Sequence, residues 1–191
     1  KSKAISLMSF DELKSRLVDA RSYIELRKYY QFGSITRDFV ESQYVNLDIL
    51  DDAGDQWSLD RIVKEIMSGK IKSFTLVGEY GAGKSTTLRR IYDSLVEKYV
   101  SGQCYQFPVF INLRDHLGQS DPAEAIQRHC ARIGFEKPEQ ITRAWRAGFC
   151  ALIIDGFDEI GMLGIQKRDR KLSTIRYQSM ELIRRFFQQS P

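Results

Sequence analysis

A glycine-rich run near the middle of the chain is its most informative segment. It consists of Gly78, Glu79, Tyr80, Gly81, Ala82, Gly83, Lys84, Ser85 and Thr86, and it matches the pattern GxxxxGK followed by Ser or Thr. A short apolar segment, residues 74–77, precedes the run, and apolar residues recur at helical spacing over residues 88–99. This pattern binds phosphate when it stands between a strand and a helix. We therefore predict a buried strand, a phosphate-binding loop and a helix.

Each residue type in the loop has a physical role. Glycines adopt backbone angles that a Cβ would forbid, so consecutive N–H groups can converge on phosphate oxygens. A helix that begins near Lys84 adds the positive end of its dipole. Lys84 would bring a mobile positive charge to β- and γ-phosphates, and the Ser85 hydroxyl is a hard oxygen ligand for Mg²⁺. The predicted cofactors are therefore ATP or ADP with Mg²⁺, bound by residues 78–86.

The second informative segment is acidic. An apolar run predicts a buried strand over residues 149–154, and Asp155, Gly156, Phe157, Asp158 and Glu159 follow it. Because ligands bind at the carboxyl edge of open α/β sheets, Asp155 is expected to share Mg²⁺ with the loop serine. Gly156 permits a sharp bend that would turn Asp158 or Glu159 towards the γ-phosphate, to orient or deprotonate a water. Asp158 is narrowly favoured as this catalytic base, and the alternative is that both are solvated surface acids.

Helices and strands alternate along the rest of the chain. A further buried strand is predicted over residues 107–113. Helices are predicted over residues 9–30, from Ser58 to a stop at Gly69, from about Lys84 through Tyr99, from Asp121 onward with Pro122 in its first turn, and over 138–147 and 173–188. Strands that alternate with helices require right-handed crossovers. The expected fold class is α/β, with a mainly parallel sheet between two helical layers.

The N-terminal segment is predicted to be separate from this core. Its helix presents an apolar stripe of Phe10, Leu13, Leu17, Ala20 and Ile24, and Ser9 with Glu12 forms a capping box at its start. The stripe packs either against the rest of the chain, which is the simpler interpretation, or against another domain or chain. We predict a helical segment and linker over residues 1–50 and the core domain over residues 51–191.

Composition excludes several classes of protein. The 191 residues are 42% hydrophobic and 28% charged, with no apolar stretch long enough to span a bilayer. Three cysteines without CxxC spacing or a signal-peptide pattern predict a reducing, cytoplasmic compartment. A formal net charge of +4 is too small to indicate nucleic-acid binding.

The remaining polar residues point to no second site. Asn112 and Asp115 superficially resemble a guanine-reading NKxD motif, but they lack its lysine and precede the acidic strand, so we interpret them as loop caps and favour ATP over GTP. His116 and His129 lie far from any partner at metal-ligand spacing. Trp57, Trp145 and Cys150 are packing candidates. A basic loop is predicted to be a solvated face, with contact to nucleotide or a neighbouring protomer as the alternative; it contains Lys167, Arg168, Arg170 and Lys171.

Three segments in this order resemble the NACHT family of P-loop NTPases, within the signal-transducing ATPases with numerous domains. They read GEYGAGKST, FPVFINLRD and LIIDGFDEI, and the sequences of the first and third are most similar to those of bacterial members. The resemblance covers about residues 44–161. It implies a three-layer P-loop NTPase that acts as an ATP-dependent, oligomerising switch, with an N-terminal effector and a C-terminal sensor on the same polypeptide. Such proteins serve innate immunity, programmed cell death or antiphage defence.

The resemblance also implies a strand order of 5-1-4-3-2, in which strand 4 lies between the loop strand and the acidic strand. The chain stops at Pro191, where that strand would begin, so we expect an incomplete domain at the C-terminus. The alternative functions are a remodelling ATPase of the wider AAA+ kind and a nucleotide-stabilised scaffold without hydrolysis. A small-molecule kinase is less favoured because no lid or acceptor site is evident.

Overall fold

The computed structural model describes residues 8–29, 48–157 and 170–189. Two short helices come first, α1 (Phe10–Leu17) and α2 (Ala20–Tyr29), followed by the paired strands β1 (Ile49–Leu50) and β2 (Gln56–Trp57). The later elements are α3 (Leu59–Met67), α4 (Lys84–Val100), β3 (Phe107–Asn112), a 3₁₀ turn (Leu113–His116), α5 (Pro122–Ile133), α6 (Pro138–Arg146), β4 (Cys150–Asp155) and α7 (Arg170–Gln189). Every element predicted after the glycine loop is present close to its expected bounds.

The helix caps predicted at Ser58 and Asp121 are confirmed. Ser58 precedes α3, and its hydroxyl accepts a hydrogen bond from the backbone N–H of Arg61. Asp121 precedes α5, accepts from the N–H groups of Ala123 and Glu124, and is followed by Pro122 in the first turn. These side chains satisfy donors that the first turn of a helix leaves without partners.

The two long strands form a parallel pair, as predicted. Their register runs from Phe107 opposite Cys150 to Asn112 opposite Asp155, and α5 and α6 make the crossover. Alternate residues of β3 face opposite sides of the sheet. Val109 lies in one core cluster with residues of α2, α5, α6 and α7, whereas Phe110 lies in the other with residues of α3 and α4. Helices therefore cover both faces of the sheet, which is the expected three-layer arrangement.

The predicted buried strand over residues 74–77 is wrong for this structure. The segment forms no ladder pairing with the described residues; Phe74 is 40% exposed and Val77 is 85% exposed. A strand forms only where a neighbour satisfies its backbone groups, and no strand in the described ranges lies beside this segment. For the same reason β4 is only partly buried, because it pairs along one edge with β3 and along the other with no described strand.

The N-terminal helix is divided in two, contrary to the single helix predicted over residues 9–30. The helical pattern stops at Val18 and restarts after Asp19, whose carboxylate accepts from the N–H of Ser22. Asp19 is also held by the core, since its N–H donates to Gln140 at 2.8 Å and its carboxylate pairs with Lys137 at 3.1 Å. These long-range contacts and the new cap stabilise a break that the apolar periodicity does not signal.

The second N-terminal helix packs into the main core. Tyr23 is fully buried, with its ring edge-on to Phe107 and Phe135, and Ile24 is 7% exposed. Leu17 and Ala20 pack against the same core cluster, so the simpler of the two interpretations of the apolar stripe, packing against the rest of the chain, is confirmed for Leu17, Ala20 and Ile24. The boundary between residues 50 and 51 stays a prediction, because residues 30–47 lie outside the described part of the chain. None of the helices in that part is long and apolar enough to cross a membrane.

Both histidines are buried, His116 in the 3₁₀ turn and His129 in α5. Tyr23 Oη lies 2.8 Å from His129 Nε2, and burial lowers the pKa of His129 to about 3. Burial also lowers the pKa of His116, to about 4. Both imidazoles are neutral in the folded protein at neutral pH, whereas the same groups in the unfolded chain take up protons below about pH 6.5.

We expect the free energy of unfolding to fall as the pH is lowered from about 7 to about 5. In this interval the unfolded chain binds more protons than the folded one, and each histidine contributes at most about 2 kcal/mol of the loss. Urea denaturation at a series of pH values measures the effect, and His129→Gln, which keeps a hydrogen-bonding group near Tyr23, should flatten the profile. A stability independent of pH over this interval would contradict the burial of neutral imidazoles.

Candidate functional site

The glycine loop leads directly into α4, a helix of 17 residues. Gly81 and Gly83 have φ angles of +81° and +83°, a region that residues with a Cβ rarely adopt, and Gly83 precedes the first residue of α4. A Cβ on Gly78 would lie 3.3 Å from Cβ of Ala82. The path of the loop therefore favours glycine at positions 81 and 83 and leaves little room for a side chain at position 78.

The loop lysine folds back over the loop. Lys84 Nζ donates hydrogen bonds to the backbone carbonyls of Gly78 and Glu79, each at 2.9 Å. Since Lys84 begins α4, its ammonium lies beside the N-terminal end of a helix whose first turn contains no acidic residue. The side-chain charge and the helix dipole both favour an anion at this place.

The loop serine contacts the acidic end of β4. Ser85 Oγ donates to Asp155 Oδ1 at 3.1 Å, although the two residues are 70 positions apart in the chain. Asp155 is the last residue of β4 and lies at the carboxyl edge of the parallel pair. The two residues predicted to ligate Mg²⁺ are thus brought together by the fold. A hydroxyl and a carboxylate are oxygen ligands of the type that Mg²⁺ prefers.

The other residues of the loop differ in exposure. Tyr80 is 78% exposed, and Glu79, Gly81 and Ala82 are exposed as well. Thr86 is half-buried within the first turn of α4. The N-terminal end of the loop is therefore open to solvent, while the end that enters the helix is partly covered.

The chain turns sharply after β4, as predicted. Gly156 has a φ angle of +86°, and it is buried beside the end of β3. Asp158 and Glu159, the predicted base and its alternative, lie outside the described residues, as do Lys167 and Arg168 of the basic loop. Arg170 and Lys171 belong to the start of α7, but their side chains are not among those described.

The end of β3 contributes a residue that the sequence indicated only as a loop cap. Asn112 Oδ1 accepts from the N–H of Arg114 and caps the 3₁₀ turn, which confirms that prediction. Asn112 also stands opposite Asp155 in the strand register. No local sequence pattern predicts that Asn112 lies opposite Asp155, because the pairing depends on how two distant strands align. Asp115, predicted as a second cap, forms an ion pair with Arg132 of α5 at 2.9 Å.

A glycine loop that enters a long helix at its N-terminal end, with the helix serine bonded to an aspartate at the sheet edge, is the arrangement of a P-loop NTPase. The sequence model of the NACHT domain matches residues 72–189, which is more than half of the chain, and the chain therefore belongs to the NACHT family. No curated protein and no solved structure matches the chain significantly. Membership of this family makes the chain a nucleotide-binding NTPase domain.

Proposed function

We propose that this NACHT-family chain is an ATP- and ADP-binding switch domain that hydrolyses ATP slowly and acts through nucleotide-controlled changes of conformation. The observation that carries the proposal is the 3.1 Å bond between Ser85 and Asp155. It joins the loop that would hold the phosphates to the acidic end of β4. The oxygens present at this junction fit Mg²⁺.

The residues divide the work of binding. Lys84 would bind the β- and γ-phosphates through its ammonium, together with backbone N–H groups of residues 78–86. Ser85 and Asp155 would hold Mg²⁺, which neutralises phosphate charge when it is bound. Asp158 is proposed as the base that orients or deprotonates water, with Glu159 as the second candidate.

The biological setting is a proposal that rests on the family. NACHT domains act as oligomerising switches within longer polypeptides that carry an effector and a sensor, and they serve immunity and defence. We extend self-association, an effector and a sensor to this protein on that basis. Cys104, Cys130 and Cys150 are free thiols, which supports a reducing, cytoplasmic compartment.

The proposal predicts that Ser85→Ala weakens the effect of Mg²⁺ on nucleotide binding. The variant removes one metal ligand but keeps Lys84 and the loop backbone, so the affinity for ATP in the presence of a chelator should stay near that of the wild type. The affinity for ATP with Mg²⁺ should fall about tenfold, as for loss of a group that supports a metal. Titration calorimetry with and without Mg²⁺ measures both affinities.

Ser101→Ala is the matched control, because Ser101 is an exposed residue at the opposite end of α4 and its hydroxyl donates to the carbonyl of Lys98, far from the loop. It should leave both affinities unchanged. Equal Mg²⁺ dependence in the wild type and in Ser85→Ala would remove the proposed metal site.

Turnover separates the switch from its alternatives. A switch retains nucleotide tightly and hydrolyses it slowly, whereas a remodelling ATPase of the AAA+ kind turns over repeatedly. Rapid multiple-turnover hydrolysis by the monomeric protein would therefore contradict the switch. A scaffold without hydrolysis is indicated if Asp158→Asn and Glu159→Gln leave signalling by the full-length protein unchanged while Lys84→Ala abolishes it.

A further inference from the structure

The side chain at the end of β3 is fixed in place by the backbone that follows it. Asn112 Oδ1 accepts the N–H of Arg114 at 3.0 Å, which caps the 3₁₀ turn and determines the direction of the amide. Asn112 is the register partner of Asp155, so the two residues end neighbouring strands at the same height. The amide is thus held next to the point where the chain leaves β4.

The residue that it meets there is Gly156. A Cβ on Gly156 would lie 2.8 Å from Asn112 Oδ1 and 3.6 Å from Cγ of Arg114. The first distance is shorter than any ordinary contact of carbon and oxygen, and the φ angle of +86° independently disfavours a side chain at this position. Gly156 therefore adopts the left-handed conformation, and the Asn112 amide occupies the space that a side chain at this position would need.

We propose that Asn112 is a positioning residue for Asp155: its capped amide packs against Gly156 and holds the turn after β4 so that the Asp155 carboxylate stays beside Ser85. This inference rests on the proposed function, because it assigns Asn112 a role towards the magnesium site formed by Ser85 and Asp155. It goes beyond that function by adding a residue from a different strand.

The chemistry of the side chain favours asparagine for this role. Serine could cap the 3₁₀ turn equally well, but its oxygen is one bond closer to the backbone and leaves space beside Gly156. Aspartate has the length of asparagine, yet it would place a second negative charge beside Asp155. An amide alone among these three combines the cap, the reach and neutrality.

The test compares Asn112→Ser with Asn112→Ala. The serine variant retains the cap but not the contact with Gly156, and the alanine variant loses both. Both variants should reduce the ratio of ATP affinities with and without Mg²⁺ about tenfold, because the support of a metal ligand is lost. Only the alanine variant should also lower the thermal midpoint of unfolding. Binding in the presence of a chelator should stay near that of the wild type in both.

Asp121→Ala is the matched control, since Asp121 caps α5 in the same manner and no described contact joins it to Gly156. It should lower the thermal midpoint without changing the Mg²⁺ dependence of binding. Wild-type Mg²⁺ dependence in both Asn112 variants would overturn the proposal. A reduced Mg²⁺ dependence in Asn112→Ala alone would also overturn it, because loss of the cap would then explain the change.

A second measurement does not require nucleotide. Gly156→Ala should lower the thermal midpoint less in the Asn112→Ala background than in the wild type, because the clash with Oδ1 is then absent while the strain at positive φ remains. Additive effects of the two substitutions would contradict the contact. If the wild-type protein and Lys84→Ala bind ATP equally weakly, the proposed function fails, whereas this thermal comparison still decides whether Asn112 and Gly156 are coupled.

Discussion

Replacing Lys84 with alanine is expected to lower the affinity of the protein for Mg²⁺–ATP and Mg²⁺–ADP by about 100-fold, the scale of a lost hydrogen bond to a charged group. The ammonium of Lys84 lies over the glycine loop, at 2.9 Å from the carbonyl oxygens of Gly78 and Glu79. The backbone N–H groups and the N-terminal end of α4 remain in the variant, so binding should be weakened rather than abolished. Titration calorimetry with each nucleotide measures the change.

The fold should not depend on this lysine. Its described hydrogen bonds go to carbonyls of a solvent-exposed loop, so the free energy of unfolding should change by no more than about 0.5 kcal/mol. Lys98→Ala is the matched control, because Lys98 lies in the last turn of the same helix and bonds Gln103. It should leave nucleotide affinity unchanged. Equal affinities of the wild type and Lys84→Ala would refute nucleotide binding at this loop.

Replacing Trp145 with alanine is expected to destabilise the protein by about 3–5 kcal/mol, the range for removing a large aromatic side chain from a packed core. Trp145 of α6 is 2% exposed, and its ring is edge-on to Phe186 of α7, with centroids 5.3 Å apart. Its removal would leave a cavity between the crossover and the final helix. Urea denaturation followed by circular dichroism gives the change in unfolding free energy.

Two variants show whether the effect comes from the buried ring. Trp145→Phe keeps an aromatic ring in the site and should cost less than half as much as alanine. Trp57→Ala removes the other tryptophan, which is only half-buried, stacks against Arg61 and donates to Asp51. It should cost about 2 kcal/mol, since it loses one hydrogen bond, the contact with Arg61 and partly buried packing against the core cluster that contains Phe110. Equal losses for the two alanine variants would contradict the position of Trp145 at the centre of the core.

Local chemistry was sufficient to predict most of the helices and the phosphate loop. Ser58 and Asp121 cap their helices, and Gly81 and Gly83 of the loop adopt positive φ, because these effects depend on residues within a few positions of each other. The proximity of Ser85 and Asp155 was also predicted, although the two residues are 70 positions apart in the chain. It follows from a general property of parallel sheets, whose carboxyl edges collect the ligands.

The errors have a common physical origin. Residues 74–77 have the apolar character of a strand but lie unpaired, because a ladder needs a neighbour and not only suitable side chains. The single helix predicted at the N-terminus breaks at Asp19, whose partners Lys137 and Gln140 come from α6. In both cases the outcome depends on partners distant in the chain, which residues 74–77 lack within the described ranges and which Asp19 has.

The residues that would bind phosphate and metal can therefore be predicted from short motifs. The conformation of a glycine, the charge of a lysine and the ligand chemistry of an oxygen are properties of the residue itself and its near neighbours. The tertiary structure alone decided that Asn112 meets Gly156. That contact exists because β3 and β4 align with Asn112 opposite Asp155, and a shift by one residue would turn each side chain to the other face of the sheet.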